Sequence, residues 1–344
     1  MTLSRGSFAS RRVRFWAVAA NRGTAIAAAV RYPKFGEEGE ETLKYKIPAV
    51  LVLVVLSVAI ALAQTSTNTT STAPAAAVSG SFSFTAFNFP GANGTRATGL
   101  NDQGDIVGDY RDSRGVPHGY LLSQGAFTSF DPPGSVLTRG IAINNLGVIG
   151  GHFLDNGNVR HSYLLNRGAF TILDFPGATS TILQGLNDRS QVVGAYGDSA
   201  GNLHGFLLSA GNFTTIDFPG AVGTVVGSIN DRGQIVGNFG DASGISHGFL
   251  LSAGNFTTID FPGAFDLSAT FSISANEQIV GIYDDNNGLL HGFTLVGGSF
   301  SSLDFPGAVQ TRANRVNEAG QIIGDYFLSG QHGYLATPNP IQKP

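Results

Sequence analysis

The sequence predicts an all-β protein, a six-bladed β-propeller of four-stranded antiparallel blades. One stretch, HGFLLSAGNFTTIDFPGA, runs from His204 to Ala221 and recurs without a change from His247 to Ala264. Looser copies extend from Ser81 to Pro338, with His118, His161, His204, His247, His291 and His332 at intervals of 43, 43, 43, 44 and 41 residues. Each copy holds four short strand-like runs, and four antiparallel strands in a repeat of about 40–50 residues is the signature of a propeller blade.

The ends of the repeat region are out of phase, which predicts closure. Its first strand, residues 82–89, corresponds to the fourth run (D) of a repeat, whereas the last copy stops after the third (C), residues 333–337. The N-terminal strand is therefore expected to complete the last blade. An open solenoid would instead carry polar capping repeats at both ends.

In chain order, residues 1–43 mix Arg5, Arg11, Arg12 and Arg14 with Glu37, Glu38, Glu40 and Glu41, and read as a non-native or disordered extension. Ser10-Arg11-Arg12 matches only part of a twin-arginine export pattern, because Arg14 occupies an apolar position of that pattern. Residues 44–63 read as a secretory signal peptide or a membrane anchor: Lys44 and Lys46 precede the apolar run Ile47 to Ala63, which ends in Ala61-Leu62-Ala63. Its depth in the chain suggests a true start near Leu43. Residues 64–80, rich in Ser, Thr and Ala, are expected to be a disordered linker, and 339–344 a tail.

Within the fourth copy the runs are residues 224–230 (A), 234–239 (B), 248–252 (C) and 256–261 (D). Asn230-Asp231-Arg232-Gly233 makes the A–B turn, residues 240–244 the B–C loop and residues 253–255 the C–D loop. Loops this short force neighbouring strands to be antiparallel. Glycines recur in mid-strand at Gly108, Gly151, Gly194, Gly237, Gly281 and Gly324, where a missing side chain permits a neighbouring blade to approach or a bulge to form.

Composition narrows the function. With no cysteine there is no disulfide, thiolate metal site or cysteine nucleophile. Residues 81–337 carry 20 Asp and Glu against 10 Arg and no Lys, a net charge of −10 that repels phosphate backbones and argues against nucleic acid as a partner.

A His-x-Phe triplet before an aliphatic strand, as in His204-Gly205-Phe206, follows segments such as Ile229-Asn230-Asp231-Arg232-Gly233-Gln234-Ile235-Val236-Gly237. This resembles the HAF repeats of bacterial extracellular proteins, over essentially all of 81–338. The chain departs from the name-giving triplet with Gly or Ser in place of Ala, as in His161-Ser162-Tyr163. The resemblance implies an exported repeat protein and assigns no reaction.

The six repeated histidines read as structural hydrogen-bonding groups. A six-fold ring holds equivalent residues too far apart for zinc ligands at about 2.0–2.1 Å. Asp131, Asp174, Asp217, Asp260 and Asp304, with Asn88 in the first copy, read as acceptors for turn N–H groups. The positions that differ between copies are more informative. Counted about the A–B turn, the facing pairs are Arg96 with Asp109, Arg139 with His152, Ile182 with Ala195, Val225 with Asn238, Ala269 with Ile282, and Arg312 with Asp325.

In a closed ring the three arginine pairs belong to neighbouring copies and should form one arc. With strand A innermost, that arc lies at one mouth of the axial channel. Guanidinium forks there suit carboxylate, sulfate or sugar groups, while the simpler reading is cross-strand ion pairing at a solvated surface. The expected function is an exported, non-catalytic binding or scaffolding module without metal or cofactor. Its partner would be an extracellular glycan, small anion or protein, with membrane contact only if 47–63 stays uncleaved. The alternative is a glycan hydrolase or lyase at the channel mouth, using Asp109 and Asp325 held about 5–9.5 Å apart.

Overall fold

The computed structural model describes residues 77–79 and 82–340. The expectations for 1–43, for the 44–63 leader or anchor, for most of the 64–80 linker and for the last four residues lie outside the described residues.

The chain forms six antiparallel sheets, one per repeat. Blade 1 consists of β3 (Gly94–Leu100), β4 (Ile106–Arg111), β5 (Pro117–Ser123) and β6 (Ala126–Phe130), in sheet order 3-4-5-6. The innermost strands of the other blades are β7 (Leu137–Ile143), β11 (Ser180–Leu186), β15 (Gly223–Ile229), β19 (Ser268–Ile273) and β23 (Gln310–Val316). These six A strands touch one another in sequence, and β23 returns to β3, so the ring is closed around an axis that they line.

Closure uses the N-terminal strand. β2 (Phe82–Phe87) pairs antiparallel with β25 (Gln331–Pro338), from Phe82 opposite Pro338 to Phe87 opposite Gly333. Phe84 of β2 is buried among Phe305, Tyr326 and Tyr334, so the seam is packed as the blades are. One segment departs from the sequence reading: β1 (Ala77–Ser79), expected within a disordered linker, is a strand paired with β2. The outer edge of β2 offers unpaired backbone groups, and the chain just before it takes them.

Strand limits also shift slightly. In blade 4 strand C begins at Ser246, two residues before the expected start, because the Asp241 carboxylate accepts the amides of Ser243 and Ile245 and completes the loop early. The histidine at 247 thereby becomes a strand residue. Each A strand carries a bulge absent from the sequence reading: Thr98, Ile141, Gln184, Gly227, Phe271 and Asn314 each stand extra against strand B.

The mid-strand glycines serve a different purpose from the one expected. Gly108 lies opposite Tyr120 of strand C, and a Cβ there would strike both the Arg96 carbonyl oxygen and the Tyr120 ring. The ring lies over its own blade's glycine, and Tyr120 OH donates to the Arg96 carbonyl at 2.9 Å. Tyr163, Phe206, Phe249, Phe293 and Tyr334 take the same place, all fully buried. Between blades the contact comes from strand B: Val107, Val193, Val236, Val280 and Ile323 each join the apolar cluster of the next blade.

Candidate functional site

The facing pairs meet in the register counted from sequence: Arg96 is opposite Asp109, Arg139 opposite His152 and Arg312 opposite Asp325. β3, β7 and β23 place the arginines. The partners stand on β4, β8 (Ile149–Leu154) and β24 (Ile322–Phe327). All belong to the consecutive blades 6, 1 and 2.

The arc is interior rather than at a solvated surface. Asp109 and Asp325 are 1% and 0% exposed and Arg139 and His152 are both 5% exposed, because neighbouring blades close over them. Asp109 Oδ1 stands 3.2 Å from Arg96 and 3.7 Å from Arg139 of the next blade. Burial pushes the Asp109 carboxyl above its ordinary pKa, against the pull of Arg96 and Arg111. Asp325 accepts from Asn314 at 2.8 Å and Gln331 at 2.9 Å, with Arg312 at 3.7 Å. His152 Nε2 faces Arg160 at 3.3 Å, and burial holds its pKa well below 6.5. The imidazole is thus neutral, and with Nε2 accepting from Arg160 its proton sits on Nδ1.

Among the described residues, four buried polar atoms here have no hydrogen-bond partner: Arg96 Nε, Arg312 Nε, Asp109 Oδ2 and His152 Nδ1. Three of these are N–H donors. Arg96, Arg139, Arg160 and Arg312 against Asp109 and Asp325 leave the cluster two positive charges in excess, inside a repeat region that is acidic overall.

The repeated histidines form a second, distributed set. In five blades the imidazole Nδ1 contacts the carboxylate of Asp131, Asp174, Asp217, Asp260 or Asp304 at 2.7–3.1 Å. At the seam His332 meets Asn88 instead, at 3.0 Å. In blades 1, 3, 4, 5 and 6 the ring lies on a strand-B aromatic, itself stacked on the Phe of the preceding Phe-Pro-Gly loop; Tyr196 sits 3.7 Å from Phe175 and 5.2 Å from His204. Blade 2 has Pro132 in place of that Phe. The Asp174 hydrogen bond raises the His161 pKa, whereas burial lowers that of His332, which has no carboxylate partner among the described residues.

Two features were missed by sequence reasoning. Asn101, Asn144, Asn187, Asn230 and Asn317 fold their side-chain oxygens onto the A–B turn, and their Nδ2 atoms donate to the carbonyl of the next blade's turn at 3.0–3.4 Å. Their recurrence in five of six turns was the available signal. The other is Arg315, which lies on the axis and donates to five backbone carbonyls. Its signal was contrast: the equivalent positions, first in register after each bulge, are Gly99, Ala142, Gly185, Ser228 and Ser272. Burial lowers the Arg315 pKa to about 10, so the group stays charged at neutral pH. A cavity of about 90 Å3 is lined by Arg315, these asparagines and Asp102, Asp188 and Asp231.

No protein-family model and no curated protein matches this sequence. Among solved structures, AofleA from Arthrobotrys oligospora is similar at 12% identity, over 76% of this chain and 94% of that one, with a TM-score of 0.48. The fucose-specific lectin from Aleuria aurantia is similar at 12% identity over 73% and 98%, with a TM-score of 0.46. TolB from Acinetobacter baumannii is similar at 11% identity over 68% and 63%, with a TM-score of 0.49.

Proposed function

We propose that this chain is an exported, non-catalytic binding or scaffolding protein of the bacterial HAF-repeat kind, and that the arc of Arg96, Asp109, Arg139, His152, Arg312 and Asp325 takes an acidic group of an extracellular glycan, small anion or protein. The observation that carries the ligand class is the surplus of positive charge in the arc together with three buried N–H donors, Arg96 Nε, Arg312 Nε and His152 Nδ1, that have no partner among the described residues. A buried donor without an acceptor costs about 1–3 kcal/mol, and an oxyanion reaching the arc past the partly exposed Arg96 and Arg312, 16% and 13% exposed, would offset it. The non-catalytic reading is supported by the carboxylates, since Asp109 is already shared by two arginines and Asp325 by Asn314, Gln331 and Arg312. Export is supported by the 44–63 segment, where Lys44 and Lys46 precede an apolar run that ends in Ala61-Leu62-Ala63.

A thermal-shift screen of the full-length protein against uronic acids, sulfated sugars, neutral sugars and inorganic anions tests this. Acidic compounds should raise the melting temperature, and Arg312→Ala and His152→Ala, each checked for folding by circular dichroism, should lose that rise. An equal rise in folded variants would move the site elsewhere.

A further inference from the structure

The bulges turn five carbonyls toward the axis, and one side chain answers all of them. Arg315 Nε donates to Thr98 at 3.1 Å, one terminal nitrogen to Gly227 and Phe271 at 3.5 and 3.3 Å, and the other to Ile141 and Gln184 at 3.4 and 2.6 Å. These acceptors come one each from blades 1, 4, 5, 2 and 3. A guanidinium has five N–H donors in one plane, and the other five blades present five oxygens. The acceptors are the bulge residues, whose carbonyls leave the ladder and would otherwise face the axis unpaired.

Although Asp102, Asp188 and Asp231 line the same cavity, among the described residues no ion pair involves Arg315, and the groups its nitrogens touch are carbonyls. Two of the equivalent positions have no room for any side chain. A Cβ on Gly99 would already come within 2.8–2.9 Å of Ala142 and the Ile141 carbonyl, and one on Gly185 within 2.9 Å of Ser228.

We infer that the bulge carbonyls of the A strands form a cation-binding ring on the propeller axis, with Arg315 as its built-in occupant, so that removing the side chain leaves a site for a free guanidinium-type cation. The inference is independent of the arc, and binding at the arc can fail without touching it.

The test is chemical rescue in the full-length protein. Arg315→Ala should melt roughly 5–15 °C below wild type, because several buried acceptors lose their donor. Millimolar methylguanidinium should return a few degrees by mass action in Arg315→Ala, leave wild type unmoved, and not be matched by tetramethylammonium, which has no N–H. Rescue by potassium as well would support the ring and add metal ions to its occupants. Arg315→Ala and Arg315→Met melting with wild type, or equal effects of methylguanidinium and tetramethylammonium, would overturn the inference. If Arg315→Ala yields no folded protein, Arg315→Lys decides: charge with fewer donors should give a stability below wild type, and a wild-type melting point would sink the idea.

Discussion

At the scale of the residue, one substitution among otherwise equivalent sites changes what a position does. Five blades give their C-strand histidine a carboxylate, and the sixth gives His332 only the Asn88 amide, so burial is uncompensated there and the His332 pKa falls. A histidine whose folded pKa is depressed supports stability above its unfolded value of about 6.5, and that support is lost as pH falls toward the folded value. Asn88→Asp should reverse the sign. His332 should titrate above 6.5 by NMR, and the gain should be complete below about 6.5 and vanish as pH rises through the new folded value. A His332 pKa unmoved by Asn88→Asp would show that burial alone sets it. The histidine and the carboxylate were each legible as repeated structural positions, but their pairing was not: the carboxylates, expected to accept turn N–H groups, bind the imidazole Nδ1 instead. The sequence also hid the ring stack beneath it, since Phe175, Tyr196 and His204 are brought face to face only by folding.

At the scale of the element, each blade is fixed by the fit of an aromatic ring over a bare backbone. Gly194→Ala in strand B should cost about 3 kcal/mol or more, seen as a fall in melting temperature of roughly 6–12 °C, because the new methyl meets both the Ile182 carbonyl and the Phe206 ring. A near-neutral Gly194→Ala would mean that the ring has space to move. Strand order, turn positions and cross-strand partners could be read beforehand because they follow from periodicity and loop length. The bulges could not, since strand A is buried on both faces and has no alternation for an extra residue to interrupt. That is why the pairing of Arg96 with Asp109 was readable while the axial role of Arg315, one residue beyond its bulge, was not. Burial of the arc was hidden for a related reason: charge pattern reveals which groups face each other, not how closely adjacent blades cover them.

At the scale of the whole molecule, closure by a single N-terminal strand makes the two ends of the chain interdependent. Removing residues 1–87 deletes β1 and β2, takes Phe84 out of the blade 6 core and leaves β25 an open edge. Such a chain should lose its cooperative thermal transition by circular dichroism, and a synthetic peptide of residues 82–92 added in trans should restore it. A truncated chain that melts like the full-length protein would show that five complete blades and a three-stranded sixth suffice. The net charge of −10 over 81–337 adds diffuse repulsion that the ring must overcome, and screening by salt should weaken it.

The pairing of Phe87 with Gly333 carries a consequence for biogenesis. In a chain that crosses a membrane or leaves a ribosome N-terminus first, β2 arrives early, just behind β1, and its mate β25 is the last of the described strands. Throughout that delay only the three-residue β1 can pair with it, and the edge that β25 will take stays open. The docking of β25 on β2 is thus the closing step of folding, and until it occurs the open strand edge is the part of the chain most exposed to proteases or to self-association.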